Sequence, residues 1–405
     1  MKESWLVYVS LSFTLLLSAC LATPQHSNNS ASGDDGVSQY DRNANSVVNK
    51  LDSCGSRSEL FNTSPIALPD LTNIVPLGNL NPPSHTFPTD HVYFFIRKQG
   101  ENAARVPLFS IGGARIFRVS SSERKSADAG PFIDYSIEFA PCREVRLKFG
   151  HVSSLSEKLN QILRAGEPME CEEYSTGGHD FKYCSHGIDV KIEAGELIGT
   201  AGGPGENALD VWAFDLRTTE LAYANPARFY TDQRHISCPV DYFTGELRQN
   251  LTALLGDGRS RRTVEPVCGE VEQDAPGTAQ GVWFFEGTKE TYPEDAHLAL
   301  VHDNFDPSRG VFSVGTSTAA SGLAAGTYYF SPLHSGLVNR DFGEVRPDGM
   351  TYCYEPRERF SDTRTSGMII LIQLVNEREL LIERQESASC APARNLTNKH
   401  SKFER

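Results

Sequence analysis

Positive charge is scarce in this chain. Its 405 residues carry 38 Lys and Arg against 52 Asp and Glu, a formal net charge of −14. The acidic residues are spread along the chain rather than gathered in a tail. A surface of that sign repels phosphate backbones, which argues against nucleic acid as a partner. Long apolar runs are also scarce, and beyond residues 5–17 no segment is apolar enough to cross a bilayer. No Gly-x-Ser-x-Gly occurs, so the nucleophile elbow of the serine hydrolases is missing. The glycine-rich run Gly199-Thr200-Ala201-Gly202-Gly203-Pro204-Gly205 lacks the lysine and hydroxyl of a phosphate cradle and reads as a turn between strands. No internal repeat of about 20–50 residues is evident.

The N-terminus carries an address. Lys2 precedes the apolar run 5–17, too short to span a bilayer but suited to a signal-peptide core. The run ends in Leu17-Ser18-Ala19-Cys20, which resembles the lipobox of bacterial lipoproteins. The resemblance implies a signal peptide over 1–19, cleavage before Cys20, and a diacylglycerol on its thiol as the lipid attachment. Leu21 follows rather than Asp, which by the same resemblance sorts the protein to the periplasmic face of the outer membrane. Residues 20–53 are mostly polar and are expected to form a disordered tether. Nine cysteines less Cys20 leave eight, an even number that in an oxidising compartment suggests up to four disulfides. Nearest-neighbour pairing gives Cys171–Cys184, Cys238–Cys268 and Cys353–Cys390, although spacing alone does not fix connectivity. The competing zinc knot of Cys171, His179, Cys184 and His186 fits no zinc spacing.

The remainder reads as mostly β. Strands are expected at 92–97, 105–111, 114–119, 133–140, 145–150, 187–193, 196–200 and 209–217. Two short helices interrupt this half. One starts at Ser154, with Glu157 completing a capping box, and stops before Gly166; the other carries Leu247, Leu251, Leu254 and Leu255 on one face and stops at Gly256. The polar run 256–262 reads as a hinge, which sets a first domain at 54–258 and a second at 259–405. The second alternates short strands with turns and has no helical pattern, so a small antiparallel barrel or sandwich is expected. Trp212 and Trp283 both read as core.

The stretch from Gly78 to His91, with Pro82, Pro83 and Pro88, is a stiff loop that presents His85, Asp90 and His91 just before an aromatic strand. Three further segments follow it: Phe149-Gly150-His151-Val152, Ile192-Glu193-Ala194-Gly195-Glu196-Leu197-Ile198-Gly199, and Phe214-Asp215-Leu216-Arg217. In this order they resemble the lysostaphin-type zinc endopeptidases that cut peptidoglycan cross-bridges. The likeness covers about residues 74–220 and says nothing of 263–405. It implies an antiparallel β domain, zinc as cofactor, His85 and Asp90 as metal ligands and His151 as a catalytic residue.

The departures are substantial. One more residue stands between His85 and Asp90 than the family has, and Val211 and Ala213 occupy the places of its His-x-His. Neither side chain has a lone pair, so Asp210 is the nearest substitute ligand. A His85, Asp90, Asp210 set suits zinc or a harder cation. With an open position, zinc-bound water could attack a peptide carbonyl beside His151. His91 reads as a residue at the start of the strand. Two functions follow: a lipid-anchored envelope protein whose degenerate peptidase-like domain binds peptidoglycan or an envelope peptide or protein, or an active metal-dependent endopeptidase.

Overall fold

A computed structural model describes residues 46–405 apart from 126–131, 167–169, 177–178, 290 and 362. The chain is mostly β, in two large antiparallel sheets. The signal segment, Cys20 and most of the expected tether lie outside the described residues. The last part of that tether is packed rather than free: Val47 and Val48 are buried against Phe117 and Ala140. No helix among the described residues is long and apolar enough to cross a membrane.

The first sheet has ten strands: β1 (Leu71–Val75), β2 (Val92–Ile96), β3 (Val106–Phe109), β4 (Ala114–Lys125), β5 (Phe132–Cys142), β6 (Val145–Leu155), β7 (Glu170–Thr176), β8 (His179–Ile192), β9 (Leu197–Ala201) and β10 (Ala208–Asp215). Their order is β1-β2-β10-β6-β5-β4-β8-β7, with β9 joining β3 to β6. Period-two alternation makes its two faces unlike. Leu209, Val211 and Ala213 of β10, Ile137 and Phe139 of β5, and Leu147 and Phe149 of β6 enter one apolar core. The intervening residues, including Asp210, Trp212, Asp134, Glu138 and Lys148, occupy the other face.

That alternation is interrupted in β6 at Gly150 and His151. Pairing with β5 passes from Ile137↔Phe149 to Tyr135↔Val152, so Gly150 and His151 stand opposite a single residue. This is a β-bulge, and His151 has the left-handed φ of +57° at it. Phe149 and Val152 therefore both stay in the core while His151 turns to the polar face.

The helices are α1 (Glu157–Ala165) and α2 (Gly245–Thr252). The cap of α1 is Ser156, which accepts from the Leu159 amide at 3.4 Å, and not Ser154 as expected. The β9 ladder explains this: Thr200 and Gly199 pair with Ser154 and Leu155 and hold both in β6. Four disulfides close the chain on itself: Cys54–Cys142, Cys171–Cys184, Cys238–Cys268 and Cys353–Cys390. The three nearest-neighbour pairs are all present. Cys171 and Cys184 face each other across β7 and β8, which leaves them no role in a zinc knot.

The second sheet has eight strands: β11 (Gly281–Phe285), β12 (Leu298–His302), β13 (Gly310–Val314), β14 (Gly326–Phe330), β15 (Tyr352–Tyr354), β16 (Met368–Asn376), β17 (Glu379–Glu386) and β18 (Ser401–Glu404). Ordered β14-β13-β12-β11-β18-β17-β16-β15, it is nearly closed and barrel-like. Trp283, Phe312, Phe330, Phe342 and Tyr354 fill it, as expected for Trp283. The run 256–262, expected as a hinge, lies within the first half, because Leu255, Cys268 and Val271 all belong to the first core.

The proline-rich stretch 78–91 joins the halves. Phe87 packs with Val282, Phe284, Ala299 and Val301 of the second sheet and stacks on His297 at 5.2 Å. Glu294 accepts the Phe87 amide at 3.0 Å.

Candidate functional site

The polar face of the first sheet gathers a buried chain of ionisable groups. It begins at Trp212, whose indole Nε1 donates to Asp90 Oδ1 at 2.7 Å. Asp90 Oδ1 also faces His91 Nδ1 at 3.0 Å. On the far side of that ring, His91 Nε2 lies 3.4 Å from Asp210 Oδ2. The same oxygen is 3.2 Å from His151 Nε2. Beyond the second ring, His151 Nδ1 lies 3.0 Å from Asp134 Oδ2 and 2.9 Å from Glu206 Oε2.

Each position follows from the local fold. Asp210 pairs with Tyr93 of β2 and with Gly150 of β6, which sets it between the two imidazoles. Gly150 is required because a Cβ there would meet the Trp212 ring at 2.9 Å. Trp212 lies between the His91 ring at 4.1 Å and the Lys148 ammonium at 4.3 Å. Glu206 is delivered by a tight turn in which its amide reaches back to the Gly203 carbonyl. Gly202 in that turn has φ +78°, and a Cβ would lie 2.2 Å from the Ala104 carbonyl oxygen.

The electrostatics follow from burial and neighbours. Burial alone would lower the His151 pKa, but Glu206, Asp210 and Asp134 outweigh it and hold the imidazole well above its ordinary range. Burial pushes the Glu206 carboxyl up to about 7 despite His151. Burial opposes ionisation of Asp210 too, yet His151 and His91 together hold it far below the usual carboxylate range. Asp90 is likewise lowered, by His91, Trp212 and Lys148 against the effect of burial. Lys148 is itself pulled down by burial.

A cleft of about 460 Å³ opens beside this chain. Glu206 lines it together with Arg105, Tyr135, Ser153, Asn160 and Pro204.

The expected residues are thus only partly brought together. His151 and Asp210 meet directly. Asp90 joins them through His91, which bridges two carboxylates instead of simply opening a strand. His85 stands apart, its ring centroid 5.4 Å from that of His91. Among the described residues, ligand atoms of metal-competent side chains come within 4.8 Å of one another at Asp134–His151–Glu206 and at Cys54–Cys142–Glu144, and the latter cysteines are disulfide-bonded. His85, Asp90 and Asp210 form no such group, so the zinc set implied by the family likeness does not fit. Val211 and Ala213, in the His-x-His places, point into the core on the face opposite Asp210. Trp212, expected as core, shares the face of Asp210 and is half-buried, packed against the first core rather than enclosed in it. Asp134 and Glu206 were not foreseen. Comparison with family models, with curated proteins and with solved structures finds no match to this chain.

Proposed function

We propose that this chain is a lipid-anchored cell-envelope protein, held at Cys20, whose first half binds a peptide-like envelope ligand in the cleft beside Glu206. On this reading the lysostaphin-like stretch is a scaffold that has lost its enzyme's zinc set. One observation carries it: the His-x-His places are core positions filled by Val211 and Ala213, whereas the cleft stays open and lined with groups that pair with peptide backbone. Arg105 offers a donor to a carboxylate, Ser153 and Asn160 offer neutral partners, and Tyr135, Leu155 and Pro204 offer apolar contact.

The test is binding of the purified chain to peptidoglycan sacculi and to soluble cross-bridge peptides, with release of new amines followed in parallel. The reading expects retention on sacculi, weakened in Arg105→Ala, and no amine release. Absence of retention would overturn it. Sustained amine release abolished in His151→Ala would favour the endopeptidase alternative, for which the buried imidazole beside two carboxylates is the supporting feature. Anchoring is checked separately: Cys20→Ser is expected to move the chain from the membrane to the soluble fraction.

A further inference from the structure

We propose that Asp134, His151 and Glu206 form a binding site for a first-row divalent cation such as Zn2+ or Mn2+, with Asp210 orienting the imidazole from behind. The three ligands come from β5, the β6 bulge and the turn before β10, and they are not the set that the family likeness suggested.

The spacing is that of ligands around one ion. His151 Nδ1 is 3.0 Å from Asp134 Oδ2 and 2.9 Å from Glu206 Oε2. Donors about 2.1 Å from a common cation are about 3.0 Å apart at right angles and about 3.4 Å apart at the tetrahedral angle, so small shifts of these side chains suit either geometry. The angles point the same way. Close as these oxygens are, Nδ1 makes no well-aligned hydrogen bond among the described residues. Asp134 Oδ1 and Glu206 Oε1 are equally without one. All three side chains are more than nine-tenths buried, with 6%, 7% and 2% of the surface of Asp134, His151 and Glu206 exposed. Buried polar atoms are ordinarily satisfied, and a cation between the three side chains would satisfy the nitrogen and both carboxylates together.

The other side of the ring is arranged for the same purpose. Asp210 Oδ2 faces Nε2 at 3.2 Å, so the ring proton belongs there and the Nδ1 lone pair is directed at Asp134 and Glu206. A carboxylate behind a ligating histidine fixes its tautomer and strengthens it as a ligand. Charge agrees as well. A proton on His151 offsets one of the three negative charges around it, whereas a dication offsets two. Two carboxylates and one imidazole favour Zn2+ or Mn2+ over Ca2+, which takes more oxygens, and over thiolate-seeking ions. The described cysteines, all in disulfides, offer no competing thiolate. Glu206 lines the cleft, which gives the ion a route in.

The experiment uses the full chain in detergent, stripped with chelator and dialysed. Zn2+ and Mn2+ are added separately, and bound metal is measured by equilibrium dialysis with elemental analysis and by titration calorimetry. One ion per chain is expected for at least one of the two metals, with a metal-dependent rise in melting temperature. Asp134→Asn, Glu206→Gln and His151→Gln should each weaken binding at least about tenfold and remove the rise, and Asp210→Asn should weaken it about tenfold at unchanged stoichiometry. His85→Ala should bind as the parent does. Circular dichroism identifies any variant that fails to fold, and the isosteric Asn and Gln replacements supply folded ones. The site is refuted if the parent binds neither metal, or if folded Asp134→Asn and Glu206→Gln bind as tightly as the parent. Loss of binding in His85→Ala alone would likewise refute it in favour of the family's loop. None of these outcomes depends on whether the cleft holds a peptide.

Discussion

Glu294 gives the sharpest test of how the two halves are joined. Its carboxyl accepts the Phe87 amide across the junction and is 5% exposed. Burial raises its pKa from the ordinary 4.5 to about 7, with Asp90 adding to the rise, while His85, the Phe87 amide and His91 oppose it. The sign follows from proton linkage. Below about pH 4.5 the folded and unfolded chains both hold the proton, so the group costs nothing. Between 4.5 and 7 only the folded chain holds it, and stability falls as the pH rises. Above 7 the folded protein carries the full cost of a buried carboxylate. A carboxyl moved from 4.5 to about 7 is worth roughly 3 kcal/mol, an upper bound. Glu294→Gln keeps an acceptor for the Phe87 amide and removes the titration. Urea unfolding of parent and variant at pH 4.5 and pH 8 isolates the effect, because the other titrating groups are common to both. The variant should gain stability relative to the parent by up to about 3 kcal/mol between the two pH values. A difference that is the same at both would show that Glu294 is not held neutral by burial at the junction.

Two further outcomes follow from the packing. Gly150→Ala places a methyl 2.9 Å from the Trp212 ring, which His91 and Lys148 hold on either side. The ring must shift and strain its bond to Asp90, so a loss of about 1–3 kcal/mol and a changed tryptophan emission are expected; unchanged emission and stability would show that the ring is free to move. The disulfides should differ in weight: Cys54–Cys142 closes a separation of 88 residues and Cys171–Cys184 only 13. On chain entropy these are worth about 4–5 and about 3 kcal/mol, so paired Cys→Ala replacement should cost more at the first, as measured by urea unfolding.

Much of the first sheet was legible because alternation is a strong signal when one face is buried. The strand expected at 209–217 is present as β10, but Trp212 was the residue read as its core side chain, whereas Leu209, Val211 and Ala213 fill the core and Asp210 faces the other way. The same reasoning could have found Asp134, since Asp134, Ser136 and Glu138 alternate with Tyr135, Ile137 and Phe139. It failed where alternation does not apply. His91 was set aside because neighbours on a strand point apart, but β2 begins only at Val92, and Asp90 in the preceding loop is free to turn toward His91. His151 needs a bulge that no local residue pattern announces, with a left-handed φ that a non-glycine residue adopts only when its surroundings impose it. Glu206 is positioned by a glycine turn and by contacts remote in sequence.

The second half closes over the polar face of the first sheet beside Asp90. Between them Phe87, Tyr223, Tyr292 and Glu294 leave beside Asp90 an enclosed space of about 10 Å³, at the lower limit for one water. With so little water there, the interactions among Asp90, His91 and Asp210 act in a low dielectric, where each pair is stronger and each missing partner costs more. The junction at Phe87 therefore does more than connect two sheets. By excluding water from one end of the chain of carboxylates and imidazoles, it opposes ionisation of Asp210 and leaves His91 and His151 to hold that carboxylate charged, and the pairing with Asp210 Oδ2 fixes the orientation of His151 at the other end, beside the cleft.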